Sequence, residues 1–161
     1  MCGLLEALDY EQEDVVIDAF TNRYSVTRSE AEEIFCETKK WLWLAANLRE
    51  SPSERLFIDK PLAIIDEMWH NFILHTKMYY EYCMEKFKFI VHHSPTSHEE
   101  KATLEYKLAT DPGAVFEEDE IQKKKQYSLI YEHLGAETLL TWYEKFPKRY
   151  TEDYIRKIRK Y

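Results

Sequence analysis

The scarcity of glycine and proline is the feature that most restricts the fold of this chain. Only three glycines and five prolines occur in 161 residues. Antiparallel β-proteins need a turn about every eight to twelve residues, and glycine and proline supply much of the backbone geometry of such turns. Forty-five per cent of the residues are apolar, which at this length suffices to bury a core. We therefore expect one all-α domain that spans residues 1–161.

Apolar residues recur at intervals of three and four, the spacing that places them on one face of a helix. This pattern predicts one or two short helices within residues 4–24 and a long helix over residues 28–48. Thr27 and Glu30 form a capping box, in which a hydroxyl and a carboxylate satisfy free backbone amides at the start of a helix. The N-terminal third of the chain is therefore predicted to be helical.

The most apolar helix is predicted from Pro61 to about Lys86, after a loop at residues 49–60. More than half of its circumference is apolar or aromatic, which is typical of a helix that other helices surround. The predicted architecture is an orthogonal or bundle-like helical array around this central helix.

After the central helix, residues 87–95 are predicted to form an extended or irregular return segment. Gly135 is expected to end a helix in the left-handed conformation, Pro147 to end another, and Thr151 to cap the last one. The helices predicted in this part of the chain cover residues 96–110, 116–134, 136–146 and 152–160.

Cysteine usage and motif content exclude several classes of protein. Cys2, Cys36 and Cys83 are odd in number and have no CxxC spacing, so they predict neither a disulfide framework nor a zinc ribbon. The acidic N-terminal region does not resemble a secretory signal, and no run of about 18 apolar residues indicates a membrane span. We expect a soluble cytoplasmic protein with no membrane partner. There is also no phosphate-binding or dinucleotide-binding motif.

Histidines are concentrated in one stretch, residues 61–95, which holds four of the six. Neutral imidazole is a common ligand of transition metals such as zinc and iron. Asp66 lies one helical turn before His70, and Glu67 precedes it at the carboxylate-x-x-histidine spacing. No second such motif occurs, which argues against a di-iron bundle. The candidate metal ligands are His70, His75, His92, His93, Asp66 and Glu67.

Helix geometry tests which histidines can share an ion. If residues 70–92 formed one straight helix, its ends would lie about 33 Å apart at 1.5 Å per residue. If the helix ended near Glu85, the next seven or so residues, in extended conformation, could run back along the helix over roughly 23 Å. His75 with the pair His92 and His93 is then the easier combination, and His92 barely reaches His70. Alternatively, His75 is buried and neutral, His70 pairs with Asp66, and one of the adjacent histidines faces outward.

Several short segments of the chain, rich in aromatic residues and histidine, are distinctive when taken together. They are Trp41-Leu42-Trp43-Leu44, Asp66-Glu67-Met68-Trp69-His70, Phe72-Ile73-Leu74, Tyr79 to Cys83, His92-His93-Ser94-Pro95, Tyr131 to Gly135, and Trp142-Tyr143. In these segments the chain resembles the glycine-rich domain-containing protein-like family, in its short bacterial single-domain form. The resemblance implies a helical domain and no particular reaction, and it draws attention to Trp69 and His70.

Three functional hypotheses follow. The first is a non-catalytic interaction domain with a protein partner, because no catalytic set is present in the sequence. The second is a metal-binding protein or metal-dependent enzyme that uses the histidines of residues 70–93, with zinc or iron as the ion. The third is nucleic-acid binding through residues 145–161, which carry seven basic and two acidic side chains. The net charge of −8 disfavours nucleic acid for the chain as a whole. The sequence leaves the oligomeric state and any enzymatic activity undetermined.

Overall fold

A computed structural model describes residues 2–51, 54–94 and 96–161, and in these residues the all-α class is confirmed. They contain no β-strand, and the one isolated bridge pairs Tyr24 with Arg159. A short 3₁₀ turn, Lys60–Leu62, leads into α4. The helices are α1 (Leu4–Leu8), α2 (Glu13–Arg23), α3 (Arg28–Asn47), α4 (Ala63–Leu74), α5 (Thr76–Phe87), α6 (His98–Thr110), α7 (Pro112–Leu140), α8 (Phe146–Arg149) and α9 (Glu152–Ile158).

The predicted capping box at the start of α3 is confirmed. The Thr27 hydroxyl accepts a hydrogen bond from the backbone N–H of Glu30 at 3.2 Å, and the Glu30 carboxylate accepts one from the N–H of Thr27 at 2.7 Å. Two free amides of the first turn are thereby satisfied. The apolar face of α3 packs on α4, and these two helices form the centre of the fold.

The central stretch is helical and largely buried, as predicted, but it forms two helices instead of one. The chain breaks at His75, whose backbone (φ −87°, ψ 60°) is not helical, and α5 then runs in a new direction. Phe72 and Tyr82 would lie about 15 Å apart along a straight helix. Their ring centroids are 5.4 Å apart, because the break lets both rings enter the same core.

This aromatic core explains why the break is stable. The Tyr10 ring lies 5.7 Å from that of Phe72 and 5.2 Å from that of Tyr82, and Phe35 of α3 meets Phe72 edge to face at 5.2 Å. Such tilted aromatic pairs contribute beyond their apolar burial. The core therefore holds α3, α4 and α5 together around the break.

The C-terminal region follows the prediction only in part. Gly135 interrupts α7 with φ 84° and ψ 171°, a positive-φ conformation that favours glycine, although its ψ is extended and not left-handed helical.

The prediction that Pro147 ends a helix is wrong. The preceding turn, Thr141–Lys145, has π-helical hydrogen bonding and Pro147 lies in the first turn of α8, where a missing N–H is tolerated. Thr151 caps α9 as predicted.

The basic C-terminal segment is tied to the acidic N-terminal half. Arg149 donates to Glu30 and Glu33, and Arg159 donates to Glu67. Part of the positive charge of residues 145–161 is therefore already paired within the chain. No helix in the described parts of the chain has the length and apolar character needed to cross a membrane.

Candidate metal centre

Helix α4 carries two of the predicted ligands on one face. Asp66 lies in its first turn and His70 one turn later, a spacing that places both side chains side by side. The Nδ1 atom of His70 lies 3.5 Å from one carboxylate oxygen of Asp66. The predicted pairing of His70 with Asp66 is therefore present, at the edge of hydrogen-bonding distance.

The return segment brings a second histidine to the same carboxylate. Lys88 ends α5 in the left-handed conformation (φ 67°, ψ 11°), which reverses the chain direction. Residues 88–94 then pass back alongside α4, and Nε2 of His93 lies 2.7 Å from the other carboxylate oxygen of Asp66. One carboxylate thus lies between two imidazoles from different parts of the chain.

A buried hydrogen-bonded chain fixes the return segment two residues before His93. The indole N–H of Trp69 donates to the Tyr79 hydroxyl at 3.0 Å, and this hydroxyl donates to the backbone carbonyl of Val91 at 2.5 Å. Trp69, Tyr79 and Val91 are each at most 7% exposed. Burial raises the pKa of Tyr79 well above its ordinary value, so the phenol keeps the proton that it donates. Helices α4 and α5 therefore both contribute to the position of His93.

The three side chains form a compact group. One potential ligand atom from each of Asp66, His70 and His93 lies within 4.8 Å of the other two. The His93 ring lies 4.3 Å from that of His70 and 4.4 Å from that of Trp69, centroid to centroid. The His93 side chain is 16% exposed and that of His70 is 49% exposed. The group therefore sits at the protein surface with one well-buried and one accessible imidazole.

The other three candidate ligands lie outside this group. Glu67 accepts hydrogen bonds from Tyr24 and Arg159, which occupy its carboxylate. His75 lies half-buried at the break between α4 and α5, so its predicted place on a buried helical face is wrong. His92 is exposed while its neighbour His93 is mostly buried, which agrees with the expectation that one of the two faces outward.

The predicted combination of His75 with the His92–His93 pair is also wrong, since His70 and His93 are the histidines that meet. That combination would require a helix that stays straight to residue 85. Because the helix breaks at His75, the C-terminal end of α5 stays closer to α4 than the end of a straight helix would. The return segment therefore needs only a short path to reach Asp66.

The spacing of the group is close to that of a mononuclear site. Zinc bonds to histidine nitrogen and carboxylate oxygen are about 2.0–2.2 Å long, which puts tetrahedral ligand atoms about 3.4 Å apart. Asp66 lies 3.5 Å from His70 through one carboxylate oxygen and 2.7 Å from His93 through the other, and the three ligand atoms lie within 4.8 Å of one another, so the side chains would have to move slightly to reach this spacing. Two imidazoles and one carboxylate fit a zinc or iron(II) ion and leave at least one coordination position free.

The free side of the group faces a groove of about 970 Å³. This volume is at the upper end of the range of small-molecule sites. Asp66, His70 and His93 lie on its wall, and apolar side chains make up much of the rest. The main apolar lining residues are Trp41, Leu48, Leu56, Phe57, Ile58, Trp69, Phe89, Ile90 and Val91.

Trp41, another residue of the groove wall, has an unused hydrogen-bond donor. The residue is 2% exposed, and among the described residues its indole Nε1 has no acceptor. A buried donor without a partner is costly, and a bound ligand is one way to satisfy it. Helical spacing does not mark Trp41 as a site residue, because the same spacing fits an ordinary core residue equally well.

Two of the three cysteines, Cys36 and Cys83, are poor candidates for a nucleophile. Burial raises the pKa of Cys83 and of Cys36, and the neighbouring Glu37 carboxylate raises that of Cys36 further. Both thiols therefore stay protonated at neutral pH, and a protonated thiol is a poor nucleophile.

Comparisons with known proteins identify one family. Residues 5–130 match the model of the UCP032817-like family. No curated protein and no solved structure matches the chain. The matched segment includes α4, α5 and the return segment, and therefore all three residues of the Asp66–His70–His93 group. Because the match extends over most of the sequence, the chain belongs to the UCP032817-like family.

Proposed function

We propose that this protein binds one transition-metal ion through Asp66, His70 and His93 and presents it to a small molecule in the adjacent groove. The observation that carries the proposal is the position of Asp66, whose two carboxylate oxygens lie 2.7 and 3.5 Å from imidazole nitrogens of separate chain segments. An ion in this place would join α4 to the return segment.

The ligand types favour zinc or iron(II). Calcium and magnesium prefer sites made of oxygen atoms, whereas imidazole nitrogen suits the later divalent metals. With three protein ligands, such an ion keeps a position for water or substrate. A metal ion of this kind polarises a bound carbonyl or phosphoryl oxygen, or lowers the pKa of a bound water. The groove gives a substrate access to that position.

The experiment uses adjacent histidines as a matched pair. Purified protein is stripped with a chelator, and zinc binding is measured by isothermal titration calorimetry, with elemental analysis of the unstripped protein. We expect one zinc per chain and at least about a tenfold weaker affinity in His93→Ala, since even outer-shell changes cost about 10–100-fold. His92→Ala removes the same side chain one residue earlier, outside the group, and should leave affinity unchanged.

Asp66→Asn provides a second variant of nearly unchanged shape. It should also weaken zinc binding at least about tenfold, because a neutral amide is a poorer ligand than a carboxylate. Equal zinc affinities of His92→Ala and His93→Ala would contradict the proposal. So would a chelator-stripped wild-type protein that takes up no stoichiometric zinc or iron(II).

The hypothesis of a protein partner remains a second candidate. It is favoured by the hairpin of α6 and α7, in which large apolar side chains lie exposed on helices that bury few residues. Nucleic-acid binding through residues 145–161 has less support, because Arg149 and Arg159 are already engaged with Glu30, Glu33 and Glu67.

Two further expectations from the sequence are also kept as proposals. The three cysteines are unpaired, which suits a reducing compartment such as the cytoplasm. The relationship to the glycine-rich domain-containing protein-like family is proposed on the Trp69–His70 and His92–His93 segments, which supply two of the three residues of the candidate site.

A further inference from the structure

The hairpin of α6 and the first half of α7 is exposed to an unusual degree. Every residue of α6 is exposed, and from Asp111 to Gln122 every residue except the half-buried Val115 is exposed. Leu104 and Ile121 are nevertheless large apolar residues, with 49% and 48% of their surface accessible. Helices that bury almost nothing gain little from tertiary packing, the main source of helix stability in proteins. This part of the chain would be stabilised by a partner surface.

The exposed face of α7 has a charge pattern that is its own complement. The residues three and four before Ile121 are acidic, Glu118 and Glu117, and the residues three and four after it are basic, Lys124 and Lys125. Positions at these intervals share one face of a helix. The face ends at two small residues, Ala114 and Ser128, which lie seven positions before and seven positions after Ile121. Its members, all exposed, are Ala114, Glu117, Glu118, Ile121, Lys124, Lys125 and Ser128.

We infer that two copies of this chain associate through this face, with their α7 helices antiparallel and a two-fold axis passing near Ile121. In that arrangement each residue before Ile121 faces the residue at the same distance after it in the other copy. Glu117 then meets Lys125 of the partner copy, Glu118 meets Lys124, and Ile121 meets its own counterpart. Each charge contact occurs twice because the interface is symmetric.

The register of the hairpin adds an apolar residue to the centre of this interface. Lys107 of α6 lies 3.8 Å from Glu118 of α7, and the same antiparallel register puts Leu104 at the level of Ile121. Two hairpins would thus bring four exposed apolar side chains to the axis, surrounded by charges. This is the layout of a four-helix bundle with an apolar centre and ion pairs at its edges.

The charges within one copy do not account for the whole pattern. Glu118 lies 3.8 Å from Lys107, and Lys124 lies 3.1 Å from Glu120. Glu118 and Lys124 therefore each have an ion-pair partner within one copy. Glu117 and Lys125 have no ion-pair partner in the part of the chain that the structure describes. They are the pair that the antiparallel arrangement joins. A parallel arrangement would instead place Glu117 against Glu117, which is unfavourable.

This surface lies outside the proposed metal centre, and the association of two copies does not depend on metal binding. Sedimentation velocity on the full-length protein, at up to about 200 µM, measures the monomer–dimer equilibrium by mass action. We expect a reversible dimer that weakens in about 1 M salt, where the Debye length falls to about 3 Å.

Charge reversal and charge exchange test the register. Lys125→Glu should raise the dimer dissociation constant about tenfold, because two symmetric attractive contacts become repulsive. The double variant Glu117→Lys with Lys125→Glu exchanges the two charges and should restore the dimer to within about threefold of wild type. Lys77→Glu makes the same change of net charge at a distant exposed residue of α5 and should have little effect. All these positions are exposed, and circular dichroism checks that the variants keep their helix content.

Three results would overturn the inference: a monomer throughout the concentration range, a dimer that Lys125→Glu leaves intact, or a double variant that associates no better than the single one. The first would exclude a second copy of this chain as the partner of the exposed hairpin face. The other two would assign the dimer to another surface or another register.

Discussion

Replacing Tyr79 by phenylalanine should be much more damaging than the loss of one oxygen atom suggests. The hydroxyl accepts from the Trp69 indole and donates to the carbonyl of Val91. Phenylalanine retains the ring, which packs edge to face on Phe72 at 5.2 Å, and removes only the polar bridge. The change therefore tests the hydrogen-bonded chain separately from the aromatic core.

The expected cost follows from what the substitution leaves behind. A buried polar group that loses its partner costs about 1–3 kcal/mol, and here a donor on Trp69 and an acceptor on Val91 are both left buried. The free energy of unfolding should fall by about 2–4 kcal/mol. For a domain of this size, that corresponds to a midpoint lower by roughly 5–15 °C.

The assay is urea unfolding followed by tryptophan fluorescence, in the presence of a chelator so that metal binding does not contribute. Tyr80→Phe is the matched control, because this neighbouring tyrosine is 51% exposed and should change stability by no more than about 0.5 kcal/mol. If Tyr79→Phe and Tyr80→Phe unfold at the same urea concentration, the bridge contributes nothing and the reasoning is refuted.

Two further predictions concern single residues outside the hydrogen-bonded chain. Lys88→Gly should stabilise the protein by about 1 kcal/mol, because Lys88 has φ 67° and a left-handed conformation is costly for a residue with a Cβ atom; a lower midpoint in urea would contradict this. Burial raises the pKa of Asp59 to about 6, and among the described residues neither of its carboxylate oxygens has a hydrogen-bond partner. The folded protein then holds this proton more tightly than the unfolded chain, so the contribution of Asp59 to stability is complete below about pH 4 and is lost as the pH rises through about 6. Asp59→Asn should remove this dependence, and parallel stability–pH curves of the two proteins would argue against it.

Signals confined to a few neighbouring residues were predictable from the sequence. The capping box at Thr27 and the cap at Thr151 are local arrangements, in which a side chain satisfies backbone amides three residues away. Gly135 likewise marks the end of a helical segment because few other residues adopt its positive φ. Such features depend little on the rest of the fold, and their positions agree with the structure.

The break at His75 could not be predicted in this way. No glycine or proline marks it, and the short polar run His75-Thr76-Lys77 is compatible with one exposed turn of a continuous helix. The break depends on packing, since Phe72 and Tyr82 meet only if the helix changes direction between them. Pro147 is the opposite case, because a strong local signal for a helix end is overridden by the π-helical turn before it.

The candidate site combines both kinds of information. The pairing of Asp66 with His70 follows from helical spacing and was predictable, whereas the arrival of His93 depends on the break at His75, the reversal at Lys88 and the Tyr79 bridge. The sequence places all of these residues in one stretch but does not specify their distances. This is why His93 could be named as a candidate while its partner was misidentified.

The position of the site has a thermodynamic consequence. The return segment is held on one side by the Tyr79 hydroxyl at Val91 and on the other by the contact of His93 with Asp66. An ion bound by His93 and Asp66 would strengthen the second attachment only in the folded state, so metal binding and folding stability are linked. Loosening the first attachment would lower the fraction of folded molecules in which the return segment holds His93 beside Asp66, and the apparent metal affinity falls with that fraction although no ligand is touched. Tyr79→Phe should therefore bind zinc less tightly than Tyr80→Phe even at temperatures where both proteins are fully folded, and this connects the buried bridge to the proposed chemistry of the groove.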